Sequence, residues 1–202
     1  MQRTNVLCRY LQERGRLHSP LLIQSFCEVD RKDFVPPEFI QKAYEDYPLA
    51  IGGGQTISQP STVAFMLELL ELKEDDDILD IGCGSGWTTA LLATAASSGS
   101  VIAVERLQPL LERAQRNVAK YALQNVTFMH ASDALGCPGK TFDKILVSAA
   151  APELPQELIA QLRSGGIMVI PVGNTITAVY KHEGDAFEQQ VFEGFVFVPL
   201  IY

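Results

Sequence analysis

The sequence predicts an α/β fold in which helices flank a mostly parallel central sheet, preceded by a helical N-terminal extension. Three observations indicate it. From Asp77 onward, short apolar runs alternate with segments of helical periodicity, as in βαβ units. A glycine-rich turn follows the first apolar run, at the strand end where such sheets bind ligands. The first 60 residues instead combine helical spacing with proline breaks.

The N-terminal extension is predicted from helical spacing and from signals that start and stop helices. Apolar residues from Val6 to Leu11 are spaced for one helix face, and Ser19-Pro20 supplies an N-cap followed by proline at the first helical position. The segment Asp33 to Pro37 is expected to break regular structure. Tyr47 to Pro60 is expected to be an extended loop hinged by glycines, and Val63 to Leu70 a further helix.

The remaining chain is predicted to form the sheet and its flanking helices. The predicted strands are Ile78–Ile81, Val101–Glu105, Val126–Met129, Ile145–Val147, Ile167–Ile170, Thr177–Tyr180 and Phe195–Val198, the last two joined by a turn around Gly184-Asp185. The predicted helices of this part are Trp87–Ala96 and Pro109–Tyr121.

Composition limits the domain organisation and the class of protein. With 202 residues, 47% of them hydrophobic, the chain is expected to be one domain over 1–202. Residues 1–60 would give the helices and the loop, and 61–202 the α/β core with the C-terminal strands. The net charge of −8 argues against general nucleic-acid binding. Apolar stretches too short to span a membrane and no signal-like N-terminus predict a cytoplasmic protein without membrane contact, and we expect a monomer.

The four cysteines are expected to be reduced thiols. Cys8, Cys27, Cys83 and Cys137 are scattered, without a CxxC pair or a histidine at ligand spacing. A metal site is therefore not expected, and each cysteine is predicted to be a small apolar residue in or near the core.

The glycine-rich turn is the most informative short motif. It is Asp80-Ile81-Gly82-Cys83-Gly84-Ser85-Gly86, between a predicted strand and a predicted helix. Glycine is needed where the backbone turns sharply and a ligand approaches without a Cβ in the way, so the motif predicts a cofactor site in a Rossmann-like fold. The spacing is GxGxG rather than the GxGxxG of dinucleotide sites. Alone, the motif leaves both S-adenosylmethionine and a dinucleotide open.

Three carboxylates near strand ends strengthen the case for an adenosine cofactor. Glu105 ends the second core strand, where a carboxylate accepts hydrogen bonds from both ribose hydroxyls. Asp80 is a candidate to face the ammonium of a methionine moiety, and Asp133 a candidate to accept from the adenine amino group. The alternative for each is structural, because strand-end carboxylates commonly cap the next turn or helix.

The loop before the core has an unusual sequence. Tyr44-Glu45-Asp46-Tyr47-Pro48-Leu49 precedes Ile51-Gly52 and Gly54-Gln55-Thr56-Ile57-Ser58-Gln59-Pro60. It closely resembles the signature loop of protein-L-isoaspartate O-methyltransferases. The resemblance covers nearly the whole chain and continues through Asp80 to Gly86, Val104-Glu105-Arg106, Val147 to Pro152, Gln161 to Gly166, Pro171-Val172-Gly173 and Phe197 to Leu200.

The resemblance implies a methyltransferase fold and a repair reaction. In that reaction a methyl group passes from S-adenosylmethionine to the free carboxyl of L-isoaspartyl residues in damaged proteins or peptides, leaving S-adenosylhomocysteine. By position, Ser58 is the active-site serine, and the expected substrate contacts are Ile57, Ser58, Gln59, Pro60, Ala149, Ala150 and Ala151. The expected cofactor contacts are Thr56, Ile57, Asp80, Gly82, Cys83, Gly84, Ser85, Gly86, Glu105, Arg106, Asp133 and Ala134.

Elementary chemistry is consistent with that role for Ser58. A carboxylate is already ionised near neutral pH, so methyl transfer requires an in-line approach rather than a strong base. A serine hydroxyl can position the substrate carboxylate by a hydrogen bond. The alternative for the Gly52 to Pro60 loop is a structural cover over the end of the sheet.

The sequence departs from the family pattern in three places. A Gly-Asp-Gly segment is replaced by His130-Ala131-Ser132-Asp133-Ala134, in which counting from Asn125-Val126 puts the family's aspartate on Ser132 rather than Asp133. A family-like glutamine is lacking after Gly173, and the usual charged tail is lacking after Leu200. Two alternatives therefore stay open: a related methyltransferase acting on a normal aspartate in a modified peptide or on a small acid, and a cofactor-binding module without turnover.

Overall fold

The computed structural model describes residues 6–184 and 186–202 and is built around one seven-stranded sheet. A separate two-stranded hairpin precedes that sheet in the chain. The strands are β1 Leu49–Gly52, β2 Gln55–Ile57, β3 Asp77–Ile81, β4 Ser100–Glu105, β5 Val126–His130, β6 Phe142–Val147, β7 Leu162–Val172, β8 Thr175–Lys181 and β9 Phe187–Glu193. The helices are α1 Val6–Glu13, α2 Pro20–Glu28, α3 Pro60–Leu69, α4 Trp87–Ala95, α5 Gln108–Val118 and α6 Gln156–Ala160.

The order of the strands confirms the predicted α/β class. Across the sheet the order is β5-β4-β3-β6-β7-β8-β9, with β5 to β7 parallel and β8 and β9 antiparallel. Helices follow β3 and β4, as right-handed crossovers between parallel strands require. The carboxyl ends of β3, β4 and β6 therefore meet at one edge of the sheet.

The apolar residues of the parallel strands alternate between two buried layers. Ile78 and Val101 pack with the apolar residues of α2, α3 and α4, whereas their chain neighbours Leu79 and Ile102 pack with those of β7 and α6. Successive side chains of a strand point to opposite faces. Both faces of the central strands are thus covered, which accounts for their nearly continuous apolar sequence.

Most of the predicted helices and strands are present, and the differences concern single elements rather than the fold class. The prediction of a last strand at Phe195–Val198 is wrong, because β9 ends at Glu193. Beyond it the main chain turns toward Ala150, whose N–H donates to the carbonyl of Val198. Asp185, at the predicted turn, lies outside the described residues. The short helix α6 was not predicted.

The N-terminal region also holds two differences. Tyr47 to Pro60 contains a β-hairpin rather than a loop alone, with Leu49 opposite Ile57 and the turn at Gly53-Gly54. Short 3-10 helices occupy Arg31–Phe34 and Pro37–Lys42, so the predicted break is confined to Val35 and Pro36, whose backbones are extended.

The prediction of four reduced cysteines is wrong for one pair. Cys8 of α1 and Cys27 of α2 form a disulfide, with their Cα atoms 5.1 Å apart. Packing of α1 against α2 brings together residues that are 19 positions apart, which no short sequence motif reveals. Cys83 and Cys137 are free thiols and are buried, as predicted.

Within residues 6–184 and 186–202, no helix has the length and apolar character needed to cross a membrane.

Candidate active site

A cleft opens at the carboxyl ends of β3, β4 and β6, where the topology directs the glycine-rich turn. It encloses about 1000 Å³ of space, including its open mouth. Residues from the hairpin, the glycine turn, the ends of β4 and β5, and the C-terminal segment contribute to its wall. The predicted site residues that line it are Thr56, Ile57, Ser58, Gly82, Cys83, Gly84, Ser85, Glu105, Arg106, Ala134 and Ala149.

The glycine turn brings bare main chain to the floor of this cleft. Gly84 has φ +55°, in the left-handed region that favours glycine. A Cβ at Gly84 would lie 3.2 Å from the Cδ1 of Ile51, on the hairpin that faces it. The missing side chain therefore lets the hairpin approach the turn closely where both line the cleft.

Gly86 serves packing rather than the cleft. It precedes α4 and does not line the cavity. A Cβ there would approach Val118 Cγ2 to 3.0 Å and the Cα of Ala114 to 3.1 Å, both on α5. The last glycine of the motif thus lets α4 and α5 approach closely, so we place it outside the direct contacts.

Glu105 is held in place by the main chain. Its Oε2 accepts from the N–H of Gly84 and its Oε1 from the N–H of Leu107, each at 2.9 Å. The residue ends β4, is 7% exposed and lines the cleft. A carboxylate has about four acceptor positions, so two remain for hydroxyl groups of a ligand.

Asp80 lies behind the wall of the cleft. It is fully buried, and its Oδ2 accepts from the hydroxyls of Thr88 and Thr89 at 3.0 and 2.6 Å. Its Oδ1 has no hydrogen-bond partner among the residues that the structure describes. Burial raises the pKa of Asp80 to about 6, against the lowering effect of the two threonines and with a further rise from nearby Glu105.

The structure separates the two candidates for an adenine contact. Ser132 and Ala134 line the main cleft. Asp133 instead lines a neighbouring cleft, together with Lys140 and Glu157. Ser132, the position indicated by counting from Asn125-Val126, is therefore the one that faces the cleft.

Ser58 stands where the main cleft meets a second one. It follows β2 and is half-buried. Four residues line both clefts: Thr56, Ser58, Ser148 and Val198. A group bound in one cleft can thus meet a group bound in the other beside Ser58.

The other predicted substrate residues lie in different places: in the second cleft, in the main cleft or in neither. Gln59 lines only the second cleft, and Pro60 is buried at the first position of α3. Ala149 lines the main cleft. Ala150 and Ala151 line neither cleft and act through their main chain, with Ala151 donating to the carbonyl of Pro171.

Sequence reasoning missed two parts of the site. Ser148 follows β6, and its N–H donates to the carbonyl of Ile81, which holds it at the junction of the clefts. Val198 to Tyr202 cover one side of the main cleft, because Pro199 forms a parallel bridge with Ala150. The apolar run at Phe195–Val198 was a signal for this wall. An apolar run also predicts a strand, so the sequence alone did not distinguish the two.

Among the residues that the structure describes, no three His, Cys, Asp or Glu side chains lie close enough to hold a metal ion.

Known proteins of one family match this chain over nearly its whole length. A sequence profile of the family described as protein-L-isoaspartate(D-aspartate) O-methyltransferase matches residues 2–202. A protein-L-isoaspartate O-methyltransferase of Aliivibrio salmonicida is 41% identical over 203 residues, covering 98% of this chain and 96% of the relative. Another from Photorhabdus laumondii is 42% identical over 198 residues, covering 96% and 94%.

A solved structure gives the same architecture. It is a Plasmodium falciparum protein assigned to the protein-L-isoaspartate O-methyltransferases, in complex with S-adenosyl-L-homocysteine, with a TM-score of 0.85 and coverage of 96% of each chain. At 24% identity this likeness shows the fold alone. Because the profile spans almost the whole chain and relatives above 40% identity cover it nearly end to end, the chain belongs to the protein-L-isoaspartate(D-aspartate) O-methyltransferase family.

Proposed function

We infer that the protein transfers a methyl group from S-adenosylmethionine to the free carboxyl of L-isoaspartyl residues in damaged proteins or peptides. Family membership supplies the reaction. The observation that carries it into this structure is the meeting of two clefts beside Ser58. One cleft has the features of a cofactor site, and the other is open to a second reactant.

The residues of the main cleft fit S-adenosylmethionine. We propose that the Gly82 to Ser85 turn holds the methionine moiety, and that the free acceptor positions of Glu105 bind the ribose hydroxyls. Ser132 is the candidate for a polar contact with the base, with Leu135 as an apolar neighbour. When bound, the cofactor supplies a methyl group on a positively charged sulfur.

The second reactant needs orientation more than activation. An isoaspartyl carboxylate is ionised near neutral pH, so one of its oxygens already carries the electron pair for the new bond to carbon. As that bond forms, the bond from the methyl carbon to sulfur breaks, and no proton is transferred. We propose that the Ser58 hydroxyl donates a hydrogen bond to the carboxylate and sets its direction of approach.

The wall of the main cleft near the junction includes buried apolar side chains, which are Ile57, Val63 and Trp87. We propose that they reduce the access of water to the bound reactants. A desolvated carboxylate attacks a cationic centre more readily than a hydrated one, because fixed protein groups replace its water shell. We propose that the small Ala149, in the wall of the main cleft, leaves room for a peptide main chain.

The deciding experiment compares two synthetic peptides that differ only in isoaspartate versus aspartate at one position. Labelled methyl groups from S-adenosylmethionine should enter the isoaspartyl peptide and not its matched control. The ester should be base-labile, as expected of a carboxyl methyl ester. Labelling of neither peptide, with the cofactor still bound by calorimetry, would overturn the proposal.

A related carboxyl methyltransferase is the second candidate. It is favoured by the second cleft, because Phe195 to Val198 line it and the chain after Gly173 departs from the family pattern. Equal labelling of the aspartyl peptide, or labelling of a small acid alone, would favour this candidate. We continue to expect a monomer that acts on isoaspartyl-containing proteins or peptides and does not bind nucleic acid.

The cytoplasm remains the expected compartment, and the Cys8–Cys27 disulfide gives it a test. Disulfides are rare where glutathione keeps thiols reduced. Rapid alkylation of living cells followed by mass measurement should find both cysteines alkylated if the protein resides in the cytoplasm. Recovery of the intact disulfide would count against the cytoplasm in any source other than a hyperthermophile, whose intracellular proteins commonly carry disulfides.

A further inference from the structure

Arg31 is a fully buried arginine whose charge faces no carboxylate at ion-pair distance within the described part of the chain. It begins the 3-10 helix Arg31–Phe34 and has 0% exposure. The ion pairs found among residues 6–184 and 186–202 do not include it. Burial lowers its pKa to about 10, with an opposing rise from Asp46, so the side chain stays charged at neutral pH.

The guanidinium donates to carbonyls on both sides of the hairpin. Before the hairpin, it bonds to the carbonyls of Ala43 at 2.7 Å, Glu45 at 3.3 Å and Tyr47 at 3.2 Å. After the hairpin, it bonds to the carbonyl of Ser58 at 3.0 Å, with a longer contact of 3.5 Å to that of Ile57. One side chain thus fixes the segment that enters the hairpin and the residue that leaves it.

The same guanidinium touches the cofactor side of the site. Its central carbon lies 5.4 Å from the centre of the Trp87 ring, in a cation–π contact. Trp87 begins α4 directly after the glycine turn and lines the main cleft. Arg31 therefore connects the Ser58 segment to the element that carries the predicted cofactor turn.

We propose that Arg31 is the positioning residue that sets Ser58 against the cofactor cleft in methyl transfer. The inference rests on the proposed function, because Ser58 acts there on the substrate carboxylate. Arg31 touches no reactant and works through the carbonyl of Ser58 and the ring of Trp87. A planar group with five donors can hold carbonyls on several strands of chain at once, whereas a lysine ammonium has three donors and no fixed plane.

The first test compares Arg31→Lys with Arg31→Met, using Val101→Ala as a destabilised control. Val101 is buried in β4 at the end of the strand opposite the site, so its truncation lowers stability without touching either cleft. We expect kcat/KM for the isoaspartyl peptide to fall about tenfold in Arg31→Lys and further in Arg31→Met, well below each melting point. Val101→Ala should stay within about twofold of wild type.

The second test separates positioning from general loss of structure through a double-mutant cycle with Ser58→Ala. If Arg31 acts through Ser58, then Arg31→Lys should reduce kcat/KM much less in the Ser58→Ala background than in wild type. Full additivity of the two losses would overturn the proposal. So would wild-type activity in both Arg31 variants.

The third test does not depend on activity. Amide exchange of residues 43–58 should speed up in Arg31→Lys but not in Val101→Ala. Trp87 is the one tryptophan of the chain, so its fluorescence should change in the same variant without interference from another indole. If wild type fails to methylate the isoaspartyl peptide, the proposed function falls, while unchanged exchange and fluorescence in Arg31→Lys would overturn the inference about Arg31.

Discussion

Asp80 on the cofactor side and Arg31 on the substrate side are buried charged residues without an ion pair among the described residues, and their hydrogen bonds differ in kind. Asp80, on the cofactor side, accepts from two neighbouring hydroxyls and keeps one oxygen unpartnered. Arg31, on the substrate side, donates from both terminal nitrogens to main-chain carbonyls far along the chain, and its Nε likewise has no hydrogen-bond partner among the described residues. Asp80 is therefore held by neighbouring side chains, whereas Arg31 holds the main chain around it in place.

The two halves of the site are held in place by different interactions. The glycine turn follows β3 and is fixed by the sheet itself, since the N–H groups of Gly82 and Cys83 both donate to the carbonyl of Val104. The Ser58 segment belongs to the two-stranded hairpin, which is outside the main sheet. Sheet hydrogen bonds therefore place the cofactor side, and side-chain contacts from the N-terminal region place the substrate side.

The largest expected effect is on the cofactor side, from Gly84→Val. A branched side chain at φ +55° is strained, and its Cβ would crowd Ile51 Cδ1 at 3.2 Å, in the wall of the main cleft. We expect affinity for S-adenosylmethionine, measured by calorimetry, to fall by about hundredfold or more, which corresponds to about 3 kcal/mol.

The matched control for that variant is Gly139→Val. Gly139 also has a positive φ, but a Cβ there meets nothing within 4 Å, and the residue does not line the main cleft. The Gly139→Val variant should have a lower free energy of unfolding but an unchanged affinity for S-adenosylmethionine. Equal affinity losses in both variants would mean that backbone strain, rather than the space beside the turn, controls binding.

The contrast between the two sides also explains what could be predicted from the sequence. The parallel strands and the glycine turn follow from local patterns, apolar runs and glycine spacing, so their positions could be predicted from the sequence. Three of the predicted cofactor residues, Asp80, Gly86 and Asp133, nevertheless do not line the main cleft. The contacts of Arg31 with Ser58, the Cys8–Cys27 pair and the C-terminal wall depend on chain segments far apart in sequence. No spacing rule reaches across such separations, because tertiary packing alone brings those residues together.

The second prediction concerns the pH dependence of stability on the cofactor side. The pKa of Asp80 is about 6 in the folded protein and about 4 in the unfolded chain, so between these values the folded state binds more protons. The free energy of unfolding should therefore fall as pH rises from about 4 to about 6, by about 3 kcal/mol from this group. Urea unfolding without cofactor should show a smaller change with pH in Asp80→Asn.

Cofactor titration of the same variant tests the proposed ammonium contact. An Asn at position 80 can still accept from Thr88 and Thr89 but carries no charge. Affinity weakened by about tenfold would support a contact between Asp80 and the methionine moiety. Unchanged affinity, together with a flatter pH profile, would leave Asp80 a structural carboxylate behind the cleft.

The third prediction moves to the substrate side. Ser58→Ala removes the hydroxyl at the junction of the clefts and leaves the main-chain carbonyl that Arg31 holds. A hydrogen bond to a charged group contributes about 1.5–3 kcal/mol, so kcat/KM for the isoaspartyl peptide should fall by about ten- to hundredfold. Cofactor affinity should change by less than about threefold, since the cofactor side is placed by the sheet.

The result also bears on whether turnover occurs at this junction at all. A parallel Thr62→Ala variant truncates a residue of the second cleft that does not line the main one. Its effect should be confined to KM for the peptide. If Ser58→Ala instead retained full kcat/KM, the reacting carboxylate would have to be oriented by another group, and Thr56 and Ser148 are the other residues with hydroxyls that line both clefts.

The smallest expected effect lies at the opposite edge of the sheet, where a third charged residue provides the comparison with Arg31. Arg163 donates to Asp143 at 2.6 Å and to Asp77 at 2.8 Å, and its side chain is 40% exposed. Solvent screens such pairs, so Arg163→Gln should lower the free energy of unfolding by less than about 1 kcal/mol, and by less still at high salt. Because Asp77 and Asp143 lie at the amino ends of β3 and β6, kcat and cofactor affinity should not change. If turnover fell as much in Arg163→Gln as in Arg31→Lys, small distortions of the sheet would reach the site. The substrate side would then depend on the sheet as well as on Arg31, and the distinction between the two sides would fail.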